Sequence, residues 1–269
     1  MCKMRVGWLL VMLLVLSGPV RSDEPVLVFG ILNQQSPQMT AERWNPIFAY
    51  LSQVTGYRFQ LRMGPNVQAT NAMMARGEFD LAFTNHNFRP EYDGTYKVIA
   101  TWGTGPIFGV VAVTAASPIK QLKDLQGMRI AYPSQNAFVA YAVPKAALRK
   151  AGVVEKEVLA GNQEGALAQL ASGQVEAAAV NSRFLTQYAA RTGLRYREIY
   201  TSQPYPDLAV LAHPRLPAEQ VERVRQALVG MAKDPKAAAI LEANQFPGFS
   251  ASGEKDYESV LRAYRAISN

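Results

Sequence analysis

An eleven-residue pattern occurs twice in this chain, at residues 75–85 and again at residues 171–181. Both copies contain Ala, a variable residue and Gly, then a hydrophobic residue, an acid, Ala and a final Asn. Each follows a helix-like stretch, so the pattern predicts a helix, a glycine stop and a buried strand. Ligands of open α/β sheets lie beyond the carboxyl ends of the strands. The repeat therefore predicts two lobes that present Asn85 and Asn181 to a shared cleft.

The segments around the repeat predict an α/β fold. Residues 26–32 form a nearly continuous apolar run, typical of a central parallel strand, and residues 58–63 alternate as a half-exposed strand does. Asn45 and Pro46 suggest a helix start between these strands. Alternating strands and helices predict a parallel sheet with right-handed crossovers in each lobe, as in a Rossmann-like unit.

Two chain crossings are predicted between the lobes, within residues 107–114 and 199–211. They divide the chain into a first lobe of residues 23–111 plus 206–269 and a second lobe of residues 112–205. The lobes are thus expected to be joined by a two-segment hinge, the arrangement of the type II periplasmic binding protein fold.

Residues 1–22 have the pattern of a cleavable signal peptide. Lys3 and Arg5 precede an apolar run at residues 6–16, which is too short to cross a bilayer comfortably, and cleavage is expected after Ser22. The mature protein is then expected in the periplasm. Removal of this segment takes three basic residues and lowers the formal charge from +7 to +4.

Composition excludes several kinds of chemistry. The only cysteine, Cys2, lies in the predicted signal peptide, so the mature chain has no thiol for a disulfide, a nucleophile or a metal. The two histidines, His86 and His213, have no evident acidic partners, and no catalytic motif is present. No basic stripe suited to nucleic acid occurs. A binding protein without metal, cofactor or enzymatic activity is expected.

Residues 117–131, with residues 77–82 before them, resemble type II periplasmic substrate-binding proteins. More narrowly, they are similar to the branch that binds phosphonate, phosphite and phosphate. The resemblance implies a monomer that closes on a small-molecule ligand and presents it to the membrane permease of an ABC transporter.

The family's anion site is a hydroxyl-rich run at a helix N-terminus, and two segments here correspond to it in alternative alignments. One alignment places residues 137–140 there, none of which has a hydroxyl, and the other places Ser134, Gln135 and Asn136. Gln163 stands where the family has a histidine, and Phe108 replaces a tyrosine. Amides both donate and accept hydrogen bonds. A neutral or singly charged, oxygen-rich ligand is therefore expected.

Residues 137–140 also resemble the branch of periplasmic sensors that signal to a membrane histidine kinase. Such a kinase is therefore an alternative partner to the permease. An enzyme on the same scaffold and a structural adaptor with a degenerate cleft are more distant alternatives.

Strand ends, helix starts and the corresponding family positions together select the candidate ligand-binding residues. They are Asn66, Asn85, His86, Phe108, Ser134, Asn136, Phe138, Tyr141, Gln163 and Asn181.

Overall fold

The computed structural model describes residues 26–84, 95–103 and 105–268, with side chains described to residue 265. The strands are β1 (Val26–Ile31), β2 (Arg58–Arg62), β3 (Leu81–Thr84), β4 (Lys97–Trp102), β5 (Gly109–Thr114), β6 (Arg129–Tyr132), β7 (Lys156–Leu159), β8 (Ala177–Asn181), β9 (Tyr196–Thr201), β10 (Ala209–Ala212) and β11 (Phe249–Ala251). The helices are α1 (Pro37–Thr55), α2 (Val67–Ala75), α3 (Val143–Lys150), α4 (Gln163–Ala171), α5 (Ser182–Thr192), α6 (Ala218–Gly230), α7 (Pro235–Ala243) and α8 (Glu258–Ser268). A π-helical turn, Phe138–Ala142, leads directly into α3.

The strands form two sheets of related topology. The first has the order β11-β4-β10-β3-β1-β2, and the second has the order β7-β6-β8-β5-β9. In the first sheet β2, β1 and β3 are parallel, and β10 pairs antiparallel with both β3 and β4. In the second sheet β7, β6 and β8 are parallel, and β5 pairs antiparallel with both β8 and β9. The sheets with their helices are the two lobes, which confirms the predicted α/β fold class.

The two copies of the sequence repeat occupy equivalent places in the two sheets. In each copy a helix ends, a glycine with positive φ follows (69° at Gly77 and 73° at Gly173), and the chain enters β3 or β8. An L side chain is strained at such φ values, so glycine suits the turn. Asn181 is the last residue of β8. Asn85, its counterpart after β3, lies outside the described residues.

The chain passes between the lobes in the segments that connect β4 to β5 and β9 to β10, which in their described parts include residues 105–108 and 202–208. Ile107 and Tyr205 pair as an antiparallel bridge, with N–H···O distances of 2.8 and 2.9 Å. The sequence placed the first boundary between residues 111 and 112, which falls inside β5. Since β5 pairs with β8 and β9 from Gly109 onward, sheet membership instead changes between Trp102 and Gly109.

The start of α1 differs from the sequence prediction. The helix begins at Pro37, and the Ser36 hydroxyl accepts a hydrogen bond from the Met39 N–H. Pro46 lies inside this helix, so Asn45 is not its N-cap. A Ser-Pro pair supplies both a side-chain oxygen that caps the helix and a fixed φ for its first turn. The helix therefore starts at this pair and not at the later Asn-Pro pair.

Aromatic side chains fill the core of the first lobe around Trp44. Its ring centroid lies 5.0–5.6 Å from those of Phe29, Phe83 and Phe246. This cluster buries one face of the first sheet under α1, α6 and α7. The sheet is thereby held rigid beneath the loops that follow its strands.

A second apolar cluster continues from one lobe to the other. Phe138 in the π-helical turn packs against Tyr205 in the crossing (4.8 Å between ring centroids) and against Tyr264 in α8 (4.6 Å). Met74 and Phe79 of the first lobe belong to the same cluster. The lobes therefore share a hydrophobic contact beside the hinge.

Gly109 allows the π-helical turn to lie directly against β5. A Cβ atom at Gly109 would overlap the carbonyl group of Val139, which is backbone and cannot rotate away. The absence of a side chain at this residue thus determines how closely the turn approaches the second sheet.

We predict that Gly109→Ala destabilises the fold by about 1–3 kcal/mol, the usual cost of overpacking a tight interior. Gly230→Ala in α6 is the control, since a Cβ atom there meets nothing within 4 Å. Alanine is also the better helix former, so the control is expected to be neutral or slightly stabilising. Urea unfolding of both variants tests this, and equal stabilities would contradict it.

Candidate ligand site between the two lobes

A small cavity lies where the carboxyl ends of strands from both sheets face each other. The first lobe contributes the segment after β1, the start of α2 and a residue before β10. The second contributes the segments after β6 and β8, the π-helical turn and the start of α4. The lining residues are Leu32, Asn33, Gln34, Val67, Pro133, Ser134, Ala137, Phe138, Val139, Ala140, Gln163, Asn181 and Leu208.

The backbone of the π-helical turn supplies hydrogen-bond donors to this cavity. The N–H groups of Phe138, Val139 and Ala140 have no acceptor among the described residues, and no side chain caps the turn. The first N–H groups of a helix lack intrahelical partners, and the helix dipole places partial positive charge on them. The turn runs on into α3, so these groups begin a helical segment of thirteen residues.

Gln163 and Asn181, which also line the cavity, are joined by a hydrogen bond. The Gln163 Oε1 accepts the Asn181 N–H at 2.7 Å. The Asn181 Oδ1 in turn accepts from the N–H groups of Arg183 and Phe184 and caps α5. Both oxygens are thus engaged, so the amide nitrogens, Nε2 and Nδ2, remain as donors without a partner in the described chain.

Ser134 adds a hydroxyl at the end of β6. The side chain is buried, and its Oγ accepts the Asn136 N–H at 3.1 Å, which tightens the loop before the π-helical turn. The hydroxyl hydrogen stays available for another acceptor. Ser134 and residues 137–140 line the same cavity, so the two alternative anion loops of the sequence alignment contribute together.

Asn33 has a structural role at the end of β1. Its Nδ2 donates to the Gly64 carbonyl at 2.9 Å, and its Oδ1 accepts from the Thr70 hydroxyl at 2.6 Å. These bonds fix the loop before α2. None of the described lining residues carries a formal charge, so the polar groups that the described part of the cavity offers are backbone and side-chain dipoles.

Four of the sequence-predicted residues line the cavity, namely Ser134, Phe138, Gln163 and Asn181. Two others, Asn85 and His86, lie outside the described residues. The remaining four, Asn66, Phe108, Asn136 and Tyr141, are not among its lining residues.

Three of these four make other contacts. The Asn66 side chain caps α2 by accepting the Ala69 N–H at 2.9 Å. The Tyr141 hydroxyl donates to Glu157 at 2.9 Å. Phe108 packs against the core of the second sheet.

Sequence reasoning missed the first-lobe residues of the cavity. Leu32, Asn33 and Gln34 follow β1 at its carboxyl end, so the rule that selected Asn181 after β8 would also have selected them. Leu208 carries no comparable signal, because only the return of the chain between the lobes brings it to the cavity.

A buried ion pair lies beside the cavity where the chain returns to the first lobe. Arg183 Nε lies 2.7 Å from Asp207 Oδ2, and the Asp207 side chain is fully buried. Burial raises the pKa of this carboxyl to about 6, because the loss of hydration outweighs the attraction of Arg183. The pair joins α5 to the segment preceding β10.

Among the described residues, no helix combines the length and the apolar character that a membrane span requires. The same part of the chain contains no group of three His, Cys, Asp or Glu side chains suited to a metal ion.

The family of the protein follows from comparison with known sequences. The family described as "ABC transporter, phosphonate, periplasmic substrate-binding protein" matches residues 29–257. The chain therefore belongs to this family, whose members are periplasmic binding proteins of importers and not enzymes. This confirms the family resemblance seen in the sequence.

Solved structures of the same fold agree. The binding protein of an ABC phosphonate transporter from Pseudomonas aeruginosa has a TM-score of 0.80 at 18% identity, covering 91% of this chain and 87% of its own. PhnD1 from Prochlorococcus marinus, in complex with methylphosphonate, has a TM-score of 0.78 at 19% identity, with 90% and 98% covered. A Xanthomonas citri protein bound to ATP has a TM-score of 0.70 at 16% identity, with 91% and 98% covered. At such identities the likeness establishes the fold alone.

We predict that Asp207 makes the stability depend on pH between about 4 and 6. Its pKa is about 6 in the folded chain against an ordinary value of 3.8, so the folded state binds this proton more tightly. The stabilisation from Asp207 is complete below pH 3.8 and is lost as the pH rises through 6, a change of about 3 kcal/mol.

The measurement is the difference in unfolding free energy between wild type and Asp207→Asn from pH 4 to 7. Taking this difference cancels the contributions of the other carboxyls, which both proteins share. Wild type should lose stability relative to the variant as the pH rises. A difference that does not vary with pH would contradict the assignment.

Proposed function

We propose that this protein is exported with cleavage after Ser22 and closes on a small oxyanion or oxygen-rich organic solute of the phosphonate-like class. The closed form then presents the solute to the permease of an ABC transporter. The observation that carries the proposal is the set of uncommitted N–H groups at residues 138–140, which share one inter-lobe cavity with the amide of Gln163.

The donor set favours a ligand with accepting oxygens and low charge. Three backbone N–H groups and the Gln163 amide can surround one oxyanion group, and the helix start contributes the equivalent of about half a positive charge. The described lining residues include no Lys or Arg to neutralise a second negative charge. A monoanion fits this balance better than a dianion.

Cavity size supports a solute of only a few non-hydrogen atoms. The space open to the centres of water-sized molecules is about 30 Å³, whereas a single water needs about 10–15 Å³ on the same scale. Methylphosphonate, which the Prochlorococcus marinus protein binds, is of this size. ATP, bound by the Xanthomonas citri protein, is far larger.

Contacts between the lobes support closure around the solute. The Glu164 N–H donates to the Gln34 carbonyl at 3.3 Å, and the Gln187 Nε2 donates to the Gln245 carbonyl at 2.8 Å. We place the hinge in residues 105–108 and 202–208, where the chain changes sheets. A solute that contacts both lobes favours the closed form over the open one, as population shift requires.

A sensor histidine kinase is the alternative partner that receives the closed form. The similarity of residues 137–140 to the sensor branch favours it, and the fold and binding step are the same in both cases. Co-purification of the closed protein with the periplasmic domain of a kinase, rather than with a permease, would select this alternative.

We predict that Gln163→Glu weakens binding of methylphosphonate by about 1–3 kcal/mol, or roughly five- to 150-fold. The glutamate keeps an oxygen for the Asn181 N–H but replaces the donating amide with a negative charge. Gln169→Glu is the matched control, since it makes the same change on the same helix, outside the cavity. Calorimetric titration of both variants measures the effect, and unchanged affinity in Gln163→Glu would refute the site.

Closure itself is tested by X-ray scattering. The radius of gyration of the ligand-free protein should decrease when saturating methylphosphonate is added, because the lobes approach each other. If calorimetry shows binding while the radius of gyration stays constant, binding without closure is established and this part of the proposal fails.

A further inference from the structure

A second, larger pocket lies between the lobes and is lined by two guanidinium groups. It is enclosed by α1 and the end of α7 from the first lobe and by α5 from the second, with about 200 Å³ of internal space. Arg43 faces it from the first lobe, and Arg191 faces it from the second. The residues lining it include no Asp or Glu, so the lining is positively charged and suits an anionic ligand.

Arg43 has no carboxylate partner in the described part of the chain. Its Nη1 donates to the Gln35 Oε1 at 3.2 Å, and its Nη2 donates to the Asn244 carbonyl at 2.9 Å. Both acceptors are neutral, and a guanidinium has five N–H donors. Burial and the nearby Arg191 lower the pKa of Arg43, and the attraction of Glu164 only partly offsets them.

Arg191 is only partly neutralised. Its Nη2 lies 2.8 Å from Glu164 Oε1, and Glu164 is the carboxylate that pairs with it. The group of Arg43, Arg191 and Glu164 therefore carries a net charge of +1. Charge-assisted hydrogen bonds from guanidinium groups are strong and suit oxyanions with several acceptor oxygens.

The same pocket also contains an unsatisfied acceptor. The Gln187 Nε2 donates to the Gln245 carbonyl at 2.8 Å, which fixes the orientation of the amide. The Gln187 Oε1 is then buried, and no donor in the described residues reaches it. A buried acceptor without a partner is energetically costly, so an occupant that brings an O–H group recovers this energy.

Gln245 is held in an unusual backbone conformation at this pocket. Its φ is +53°, the only positive value of a non-glycine residue in the described chain. Residues in the left-handed region cost energy and cluster at binding sites. This conformation directs the Gln245 carbonyl to Gln187 across the lobe boundary.

We propose that this pocket is a second anion site that binds a protonated oxyanion of the hydrogen phosphate type. Arg43 and Arg191 bind the charged oxygens, and the Gln187 Oε1 accepts the O–H group. Hydrogen phosphate keeps such a group at neutral pH, whereas sulfate has none and leaves Gln187 unsatisfied. The site therefore discriminates between two anions of nearly equal size and shape.

The second site is separate from the first cavity. The two pockets share no lining residue, so one small solute does not occupy both. Because its arginines come from different lobes, an anion here stabilises the closed form and raises the affinity of the first cavity. Anion binding at this site does not require the proposed function, whereas its effect on the first cavity rests on it.

The test is calorimetric titration of the mature protein with inorganic phosphate and, separately, with potassium sulfate at pH 7. Arg43→Gln and Arg191→Gln should each weaken phosphate binding at this site at least tenfold. Arg149→Gln, which removes an exposed cation at the end of α3, should leave it unchanged. Gln163→Glu should also leave it unchanged, since it affects only the first cavity.

Several outcomes would overturn the proposal. They are the absence of phosphate binding in the wild type and equal phosphate affinity in Arg43→Gln, Arg191→Gln and wild type. Equal affinity for phosphate and sulfate would also reject the role of Gln187. Conversely, Gln187→Met should abolish the preference for phosphate over sulfate, because it removes the acceptor and keeps a similar side-chain volume.

Discussion

The close approach of the π-helical turn to β5 is the contact on which the candidate site depends. Gly109 has no side chain, so the Val139 carbonyl can lie against it. In this position residues 138–140 line the cavity between the lobes. Phe138 also joins the apolar cluster beside the crossing. The same turn thus lines the cavity and connects the two lobes.

Charge is distributed unevenly between the two inter-lobe pockets. The first cavity is lined by neutral groups in its described part and offers N–H dipoles, whereas the second is lined by Arg43 and Arg191. Dipoles in a small, water-poor cavity can select for shape and hydrogen-bonding pattern, while guanidinium groups attract any anion strongly. In the proposed scheme, the first cavity recognises the solute, and the second responds to the surrounding anions.

Strand-end reasoning selected part of the cavity lining because the carboxyl ends of parallel strands meet at one edge of a sheet. Ser134 and Asn181 follow or end such strands, and Gln163 begins the helix that precedes β8, so their positions follow from local sequence. The same reasoning also selected Asn66 and Tyr141, which are not among the lining residues. Asn66 caps its own helix, and the Tyr141 hydroxyl donates to Glu157. Sequence spacing does not show which side of an irregular turn faces the cavity.

The amino-acid sequence alone determined the α/β class, the two lobes and the family, because these depend on hydrophobic periodicity, glycine stops and a repeated pattern that are local in the chain. The tertiary structure alone decided where the chain crosses between the lobes, between Trp102 and Gly109, and that Leu208 lines the cavity. It also decided that Arg43 and Arg191, which are 148 positions apart, line the same pocket. These features depend on which distant segments meet when two sheets pack. That outcome is set by the sum of many long-range contacts, and no single segment of the sequence encodes it.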